Sequence, residues 1–429
     1  MSPLRIVHVL HGAPPETMGG TGLYVAALAA AQRAAGDTVT LFTPGGDGAG
    51  DGLVWSGPPA RRWSDTWDPP GAARAVERTL RAWAPDVVHI HHLAGLPFAV
   101  AAAARAAGAR VVLTLHDYHL VCARGQLIDR GGQACPGPAP RRCARCVGAI
   151  AAATPAARWV PPPVRARLGP WAARLAELPG PPTAAAAASA RIFAAHGVFR
   201  AAHARLSPSR DLAARLAAYG LPPVTPAALP LVTPIRAAPP ADPGPLRVLF
   251  ASALLPTKGP DRLLRAFAAL PPGAASLTIA GPPPPPGVFP GFAEALEDAA
   301  RGTPGVRWRG ALPAAEMEAL LHAHDLLVLP STWPENSPLV VREATAAGLR
   351  TILPAVGGAR ELDPAARLLP ADASDSALTA LLHAEVARGR ERRPPLHWPS
   401  PAEHAAWLRE GPYAASGGAA RLSEPSPPQ

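Results

Sequence analysis

Leu326-Leu327-Val328-Leu329-Pro330-Ser331-Thr332-Trp333-Pro334-Glu335-Asn336-Ser337-Pro338-Leu339-Val340-Val341-Arg342-Glu343-Ala344 is the stretch whose reading decides the architecture. The apolar run 326–329 predicts a buried strand. Prolines and polar residues then make a loop, and Pro338 suits the first turn of a helix over 338–347. Free N–H groups at such a helix start attract anions. Glu335 falls in the loop at the strand's end, and Glu343 falls about one and a half turns into the helix. Two carboxylates so spaced can reach different parts of one extended ligand. The plainer alternative is a helix start favoured by acidic residues.

Working outward, the same alternation repeats. Towards the N-terminus of this half, a strand at 247–250 leads through a loop carrying Lys258 into a helix at 260–269. Further strands are predicted at 276–280, 306–308 and 350–353, with helices near 289–301 and at 313–323. The first half reads alike: strand 4–10, the loop Gly19-Gly20-Thr21-Gly22, a helix over 23–35, and strands at 39–42, 86–91 and 111–115 separated by helices at 73–83 and 98–107. Strand–helix alternation implies a parallel sheet with helices on both faces, and ligands at the carboxyl ends of the strands. The fold class is therefore α/β, with two Rossmann-like, doubly wound parallel-sheet domains facing across a cleft. The Pro-rich stretch 221–245 reads as the linker. The predicted organisation is 1–235 for the first domain with a Cys-containing insert near 120–147, 236–395 for the second, a helix within 396–415, and a loose tail over 416–429.

Composition narrows the class. The chain has 429 residues, 48% hydrophobic and 17% charged, which suits two or three domains with large cores. Four cysteines exclude a disulfide scaffold. No apolar run reaches about 18 residues, so no transmembrane helix is predicted. The N-terminus runs straight into a strand without the regions of a signal peptide, which points to a cytoplasmic protein. The net charge of +10 comes from scattered arginines with no aromatic interleaving, so nucleic acid is not the predicted partner. Of 41 basic residues, 40 are Arg and one is Lys258; Asn336 is the single Asn. Usage this skewed towards Ala, Pro, Arg and Gly replaces Lys and Asn wherever physics permits, so the survivors mark positions where an Arg fork cannot stand in for a compact ammonium. Both survivors lie at predicted strand ends. An ammonium in the 251–259 loop can neutralise a diphosphate. Gly357-Gly358, directly after another strand, permits close approach of the backbone to a ligand.

All four cysteines fall within 25 residues: Cys122, Cys135, Cys143 and Cys146. The last two form Cys-x2-Cys, which suits structural zinc of tetrahedral geometry; free thiols are the alternative. His89, His91 and His92 are read as residues lining a sugar cleft. The segment 164–178, with Arg165, Arg167, Trp171 and Arg174, suits either a helix packed on its domain or a peripheral membrane contact.

Taken in order, Lys258-Gly259, Glu335-x7-Glu343 and Gly357-Gly358 resemble family 4 glycosyltransferases of the B-type, two-Rossmann-domain fold. The loop Gly19-Gly20, the run 85–92, Thr114-Leu115-His116-Asp117 and Ser207-Pro208-Ser209 fit the same family. The resemblance spans nearly the whole chain to about residue 370. It implies a retaining transferase of the hexosyltransferase type, moving a sugar from a UDP-, GDP- or dTDP-sugar to a saccharide, lipid-linked or small-molecule acceptor in polysaccharide, glycolipid or natural-product assembly. It implies no metal or cofactor for catalysis. Lys258 is expected on the donor diphosphate, Glu343 on the ribose, Glu335 facing the transferred sugar, and Asn336, Ser337, Pro338 and Leu339 beside it. His116 is expected to reach the sugar from the first domain, with Gly19 and Gly20 near the donor and the C-terminal helix packed back on that domain. Ala253 departs from the pattern, since many members carry Arg five residues before the lysine. A sugar-nucleotide 2-epimerase of the same fold and a donor-binding protein with a decayed site are the alternatives. A dinucleotide oxidoreductase is discounted because the second strand ends Phe42-Thr43-Pro44, without the acid that would hold a ribose.

Overall fold

Short β-branched runs form parallel strands here because both faces of each sheet are covered, leaving the central strands no solvent side to make polar. The computed structural model describes residues 2–12, 19–45, 52–60, 62–129, 132–152, 182–239, 242–285, 287–370 and 372–414. The chain splits into two units: Met1–Ser207, Ala213–Ala227 and the segment from Pro401 form the first, and Pro208–Leu212 and Ala228–Ser400 the second.

Among the described residues the first unit holds seven strands: β1 (Arg5–Val9), β2 (Thr38–Pro44), β3 (Leu53–Trp55), β4 (Val87–Ile90), β5 (Arg110–Thr114), β6 (Ala204–Ser207) and β7 (Thr225–Pro226). Their order is β3-β2-β1-β4-β5-β6-β7, every pair parallel. The second unit holds β8 (Leu246–Ala251), β9 (Ala275–Ala280), β10 (Val306–Gly310), β11 (Leu326–Val328), β12 (Arg350–Pro354) and β13 (Arg367–Leu369), in the order β10-β9-β8-β11-β12-β13, again parallel throughout. In each sheet the winding reverses beside the first strand, between β1 and β4 and between β8 and β11. Crevices at such switch points, at the carboxyl ends, are where open α/β sheets bind ligands.

The second unit's core is one cluster that includes Leu249, Phe250, Leu327, Val328, Ile352 and Leu353, with Leu263, Phe267, Val341 and Leu382 from the helices. At the amino ends of its strands, buried Asp325 is bound by Arg247 (2.7 Å) and Arg390 (3.2 Å). That end carries a structural ion cluster, while the carboxyl end carries the single lysine. The helix Pro401–Glu410 packs on the first unit's helix Gly20–Ala34, where the Tyr24 hydroxyl and His404 Nε2 lie 2.9 Å apart.

Several expectations shift. The first-half helix starts at Gly20, not near residue 23, with Gly19 as its extended N-cap, so only Gly19 of the glycine loop precedes the helix. Pro338 is likewise the N-cap of the helix Leu339–Ala346 rather than its first residue. The boundary between units falls at Ala227, not 235, because the following segment is held by the second unit: the Leu231 amide donates to the Pro399 carbonyl (2.9 Å) and Arg342 to the Pro230 carbonyl. The helix Asp375–Arg388, capped by the Ser374 hydroxyl, and strands β3, β6, β7 and β13 were not anticipated. The segment 164–178 and the tail 416–429 lie outside the described residues.

Candidate active site

In the second unit, the loop after β8 and the loop after β11 are laced together by backbone. The Thr332 amide donates to the Thr257 carbonyl (2.9 Å), and Arg262 donates to the Pro330 carbonyl (3.3 Å). Gly259 sits at φ +75°, and a Cβ there would come within 2.5 Å of the Pro330 carbonyl oxygen; only glycine lets the two loops close this tightly. The closure delivers Lys258 Nζ to Glu335 Oε1 at 2.6 Å. The same carboxylate oxygen accepts from the Ser331 hydroxyl (2.6 Å), and the ammonium lies 4.8 Å from the centroid of the Trp333 ring. The side chains are 14% and 3% exposed for Lys258 and Glu335, so the charges are largely removed from water and depend on each other.

The turn after β12 fixes Glu335 from behind. Glu335 bridges Gly357 in a parallel pairing, and the Gly358 and Ala359 amides donate to the Glu335 carbonyl (2.5 and 3.2 Å). A Cβ on Gly357, at φ +81°, would overlap the Glu335 backbone, and one on Gly358 would overlap Ser209 and the Asn336 carbonyl. Asn336 is buried beside this turn; Ser337, Pro338 and Leu339 lead into the helix that carries Glu343. Burial pushes the Glu343 carboxyl above the usual range, against the smaller pull of Arg342. The Lys258 loop is held at Ala253 and Leu254 as well, where the Leu254 amide donates to the Pro282 carbonyl (2.9 Å). Glu361 caps the start of the helix Arg210–Ala218, taking the Arg210 and Asp211 amides (2.8 Å each).

In the first unit, Gly19 and Gly20 are exposed at the start of their helix. His116, after β5, lies with its Nε2 3.3 Å from His91 Nδ1, under the Tyr24 ring (centroids 5.0 Å apart). His89 is closed off in the packed interior (0% exposed), whereas His91, 3% exposed, lines a small cavity with His92, His116 and Asp117; burial holds His89 and His91 well below the usual histidine pKa. His92 alone of the three reaches a carboxylate, Asp117, at 3.0 Å.

The four cysteines are free thiols. Burial pushes the Cys143 and Cys146 thiols up, and Cys143 and Cys146 share a face of the helix Pro140–Ala152. Among the described residues, the one set of three candidate ligand atoms within 4.8 Å of each other is His8, His89 and His91. The four thiols lie close enough for Cys122 and Cys135 to act on Cys143 and Cys146 through their charge.

The sequence pattern thus finds residues that the structure does bring together: Lys258, Glu335, Asn336 and Gly357-Gly358. It misses Ser331 and Trp333, whose only signal is position within the decisive loop, and the partners Gln32, Tyr24, His404 and Tyr413, which have no local signal.

Comparison with known proteins agrees with this geometry. Residues 19–158 match the glycosyl transferase 4-like domain, and residues 232–363 match the glycosyl transferases group 1 domain. Together the two matches cover more than half of the chain, which belongs to this group of family 4-like glycosyltransferases with the B-type fold. Among solved structures, Anabaena HepE in complex with UDP-glucose aligns over 95% of both chains with a TM-score of 0.55 and 14% identity. Sucrose-phosphate synthase from Thermosynechococcus elongatus aligns over 95% of both chains with a TM-score of 0.57 and 16% identity. The catalytic domain of starch synthase IV from Arabidopsis thaliana, bound to ADP and acarbose, aligns over 90% of this chain and 92% of its own at 0.52 and 14%. No curated protein matches the chain by sequence.

Proposed function

We propose that this glycosyltransferase takes its sugar from a nucleotide-sugar donor and transfers it with retention of anomeric configuration. The observation that carries the reading is the buried Lys258–Glu335 pair (2.6 Å) at the carboxyl-end switch point of the second sheet. A lone ammonium held there by a carboxylate can exchange that carboxylate for the oxygens of a diphosphate. Glu335, with Ser331, is then released to the hydroxyls of the transferred sugar, with Asn336 and Ser337 beside it. Glu343 takes the ribose. The complexes of HepE with UDP-glucose and of starch synthase IV with ADP support a nucleotide-bearing donor.

As the bond from the anomeric carbon to the diphosphate breaks, its electron pair stays on the diphosphate. Lys258 and the amides at the start of the helix Leu339–Ala346 offset that charge. The acceptor hydroxyl attacks from the same face and passes its proton to the departing phosphate oxygen. Glu335 need not form a covalent bond, and no step requires a metal. We assign His116 to the donor sugar, and Gly19 and Gly20 to the donor as well. The acceptor is a saccharide, a lipid-linked saccharide or a small molecule, on the cytoplasmic side. No described helix is long and apolar enough to cross a membrane.

The test is a panel of UDP-, GDP- and dTDP-sugars, read by thermal shift and by slow donor hydrolysis, on wild type, Glu335→Ala and Lys258→Ala. One donor is expected to stabilise the wild type, with hydrolysis lost in both variants. Absence of any stabilising donor at millimolar concentration refutes the site assignment and leaves the decayed-site alternative suggested by Ala253.

A further inference from the structure

The segment between β5 and the helix Pro182–Ala201 carries all four cysteines, in the pattern Cys122-x12-Cys135-x7-Cys143-x2-Cys146. By spacing alone only the last pair suits one ion, because the stretch between the first two is long. The fold shortens it. The Cys122 amide donates to the Tyr118 carbonyl (2.7 Å) and the Gly125 amide to the Cys122 carbonyl (2.9 Å), so the chain turns at the first sulfur. Ile128 then pairs with Ala134 in an antiparallel bridge, and the Cys135 amide donates to the Leu127 carbonyl (2.7 Å). This hairpin folds Cys135 back beside the start of the same loop. Cys143 lies in the first turn of the helix Pro140–Ala152, where its sulfur accepts from the Ala139 amide (3.4 Å). Cys146 follows on the same face. An amide aimed at a sulfur and a helix start both favour thiolate over thiol.

All four side chains are half-buried. Burial pushes the Cys143 and Cys146 thiols up, and the charges of Cys122 and Cys135 push both further, so four thiolates repel one another in this space. A divalent cation reverses that balance, because it takes sulfur as thiolate. The surroundings supply positive charge as well. Arg191, 6% exposed, donates to the Leu120 carbonyl (3.1 Å) and interacts through its charge with Cys122 and Cys143. Arg124 acts on Cys146 in the same way. Two guanidinium groups match the double negative charge left when a divalent ion meets four thiolates. An all-sulfur set selects zinc over magnesium or calcium.

We propose that Cys122, Cys135, Cys143 and Cys146 together bind one zinc ion, which clips the loop after β5 to the helix Pro140–Ala152. Each thiol passes its proton to solvent as its sulfur bonds the ion. Among the described residues only His8, His89 and His91 offer three ligand atoms already within 4.8 Å of one another, so coordination turns the sulfurs inward from their present rotamers. The histidines are the weaker site. Both ring nitrogens of His8 and of His89 have hydrogen-bond partners at 2.7 or 2.8 Å, which an ion would have to displace. The clipped loop carries Asp117, which holds His92 (3.0 Å) and the His119 amide (2.8 Å), so zinc braces the carboxyl end of the first sheet.

The test uses the full-length chain, purified without chelator or metal-affinity resin and kept under a non-chelating phosphine reductant. Elemental analysis is expected to find one zinc per chain in the wild type and none in Cys143→Ser/Cys146→Ser. Replacing zinc by cobalt(II) in the wild type is expected to give the near-ultraviolet sulfur-to-metal charge-transfer band and the intense visible bands of a tetrahedral thiolate site. Stripping the metal should lower the Tm of the first unit's transition, and zinc, not magnesium, should restore it. If the serine variant fails to fold, the cobalt spectrum of the wild type decides.

A chain that holds no zinc as purified and gives no thiolate band on cobalt titration overturns the proposal. So does a full equivalent of zinc kept by Cys143→Ser/Cys146→Ser, or a cobalt spectrum of nitrogen ligands alone, which would move the ion to the three histidines. A first-unit Tm that neither falls on stripping nor returns with zinc refutes the clip.

Discussion

Removing the ammonium of Lys258 isolates a carboxylate that is 3% exposed. Breaking a buried pair from one side costs roughly 3–5 kcal/mol. The Ser331 hydroxyl still donates to the stranded oxygen, which places Lys258→Met at about 3 kcal/mol, the low end of that range. For a unit of this size each kcal/mol moves the Tm by about 2–4 °C, so the second unit's transition should fall by about 6–12 °C. Glu335→Gln should cost less, about 1–2 kcal/mol, because Lys258 keeps some water and the Trp333 ring. The double variant replaces the pair by neutral groups of similar size and should return to within about 1 kcal/mol of wild type. Activity should not return, since loss of a group that stabilises transition-state charge costs about 10²–10³-fold. Scanning calorimetry, resolved into the transitions of the two units, and donor turnover read the two effects separately. Losses of stability that add within about 0.5 kcal/mol in the double variant would mean that the pair is not coupled, and the reasoning from burial would fall.

Glu343→Gln separates stability from binding. The folded carboxyl is pushed above its unfolded value by burial, so its contribution is fully present below the unfolded pKa and is lost as pH rises through the folded one. The variant should therefore be at least as stable as wild type at neutral pH, with weaker donor binding by titration calorimetry. The first unit should be acid-sensitive for the opposite reason. His8 and His11 are held at about 4, His119 at about 3, so the stability they contribute is present above the unfolded value near 6.5 and lost as pH falls through those values; Tm measured from pH 7 to pH 4 should fall first in the transition assigned to this unit. Gly357→Ala combines an unfavourable φ with overlap on the Glu335 backbone and should cost about 2–4 kcal/mol, with loss of donor-induced thermal shift.

The sequence alone determined the two parallel sheets and the loops at their strand ends, because apolar runs of strand length, glycine turns and a proline at a helix start are local signals. It also singled out Lys258 and Glu335, since skewed composition and loop position are visible without coordinates. The pairing of these two, 77 positions apart, was decided by tertiary structure: the backbone lacing of two loops and a glycine at φ +75° bring them to hydrogen-bonding distance. The sheet in the first unit turned His89 and His91 inward, because a strand's two faces are equivalent in sequence until neighbouring helices bury one. Gln32 and Tyr413, 381 positions apart, became partners only when the C-terminal segment packed on the first unit; no local pattern encodes a contact that forms only when the chain returns on itself.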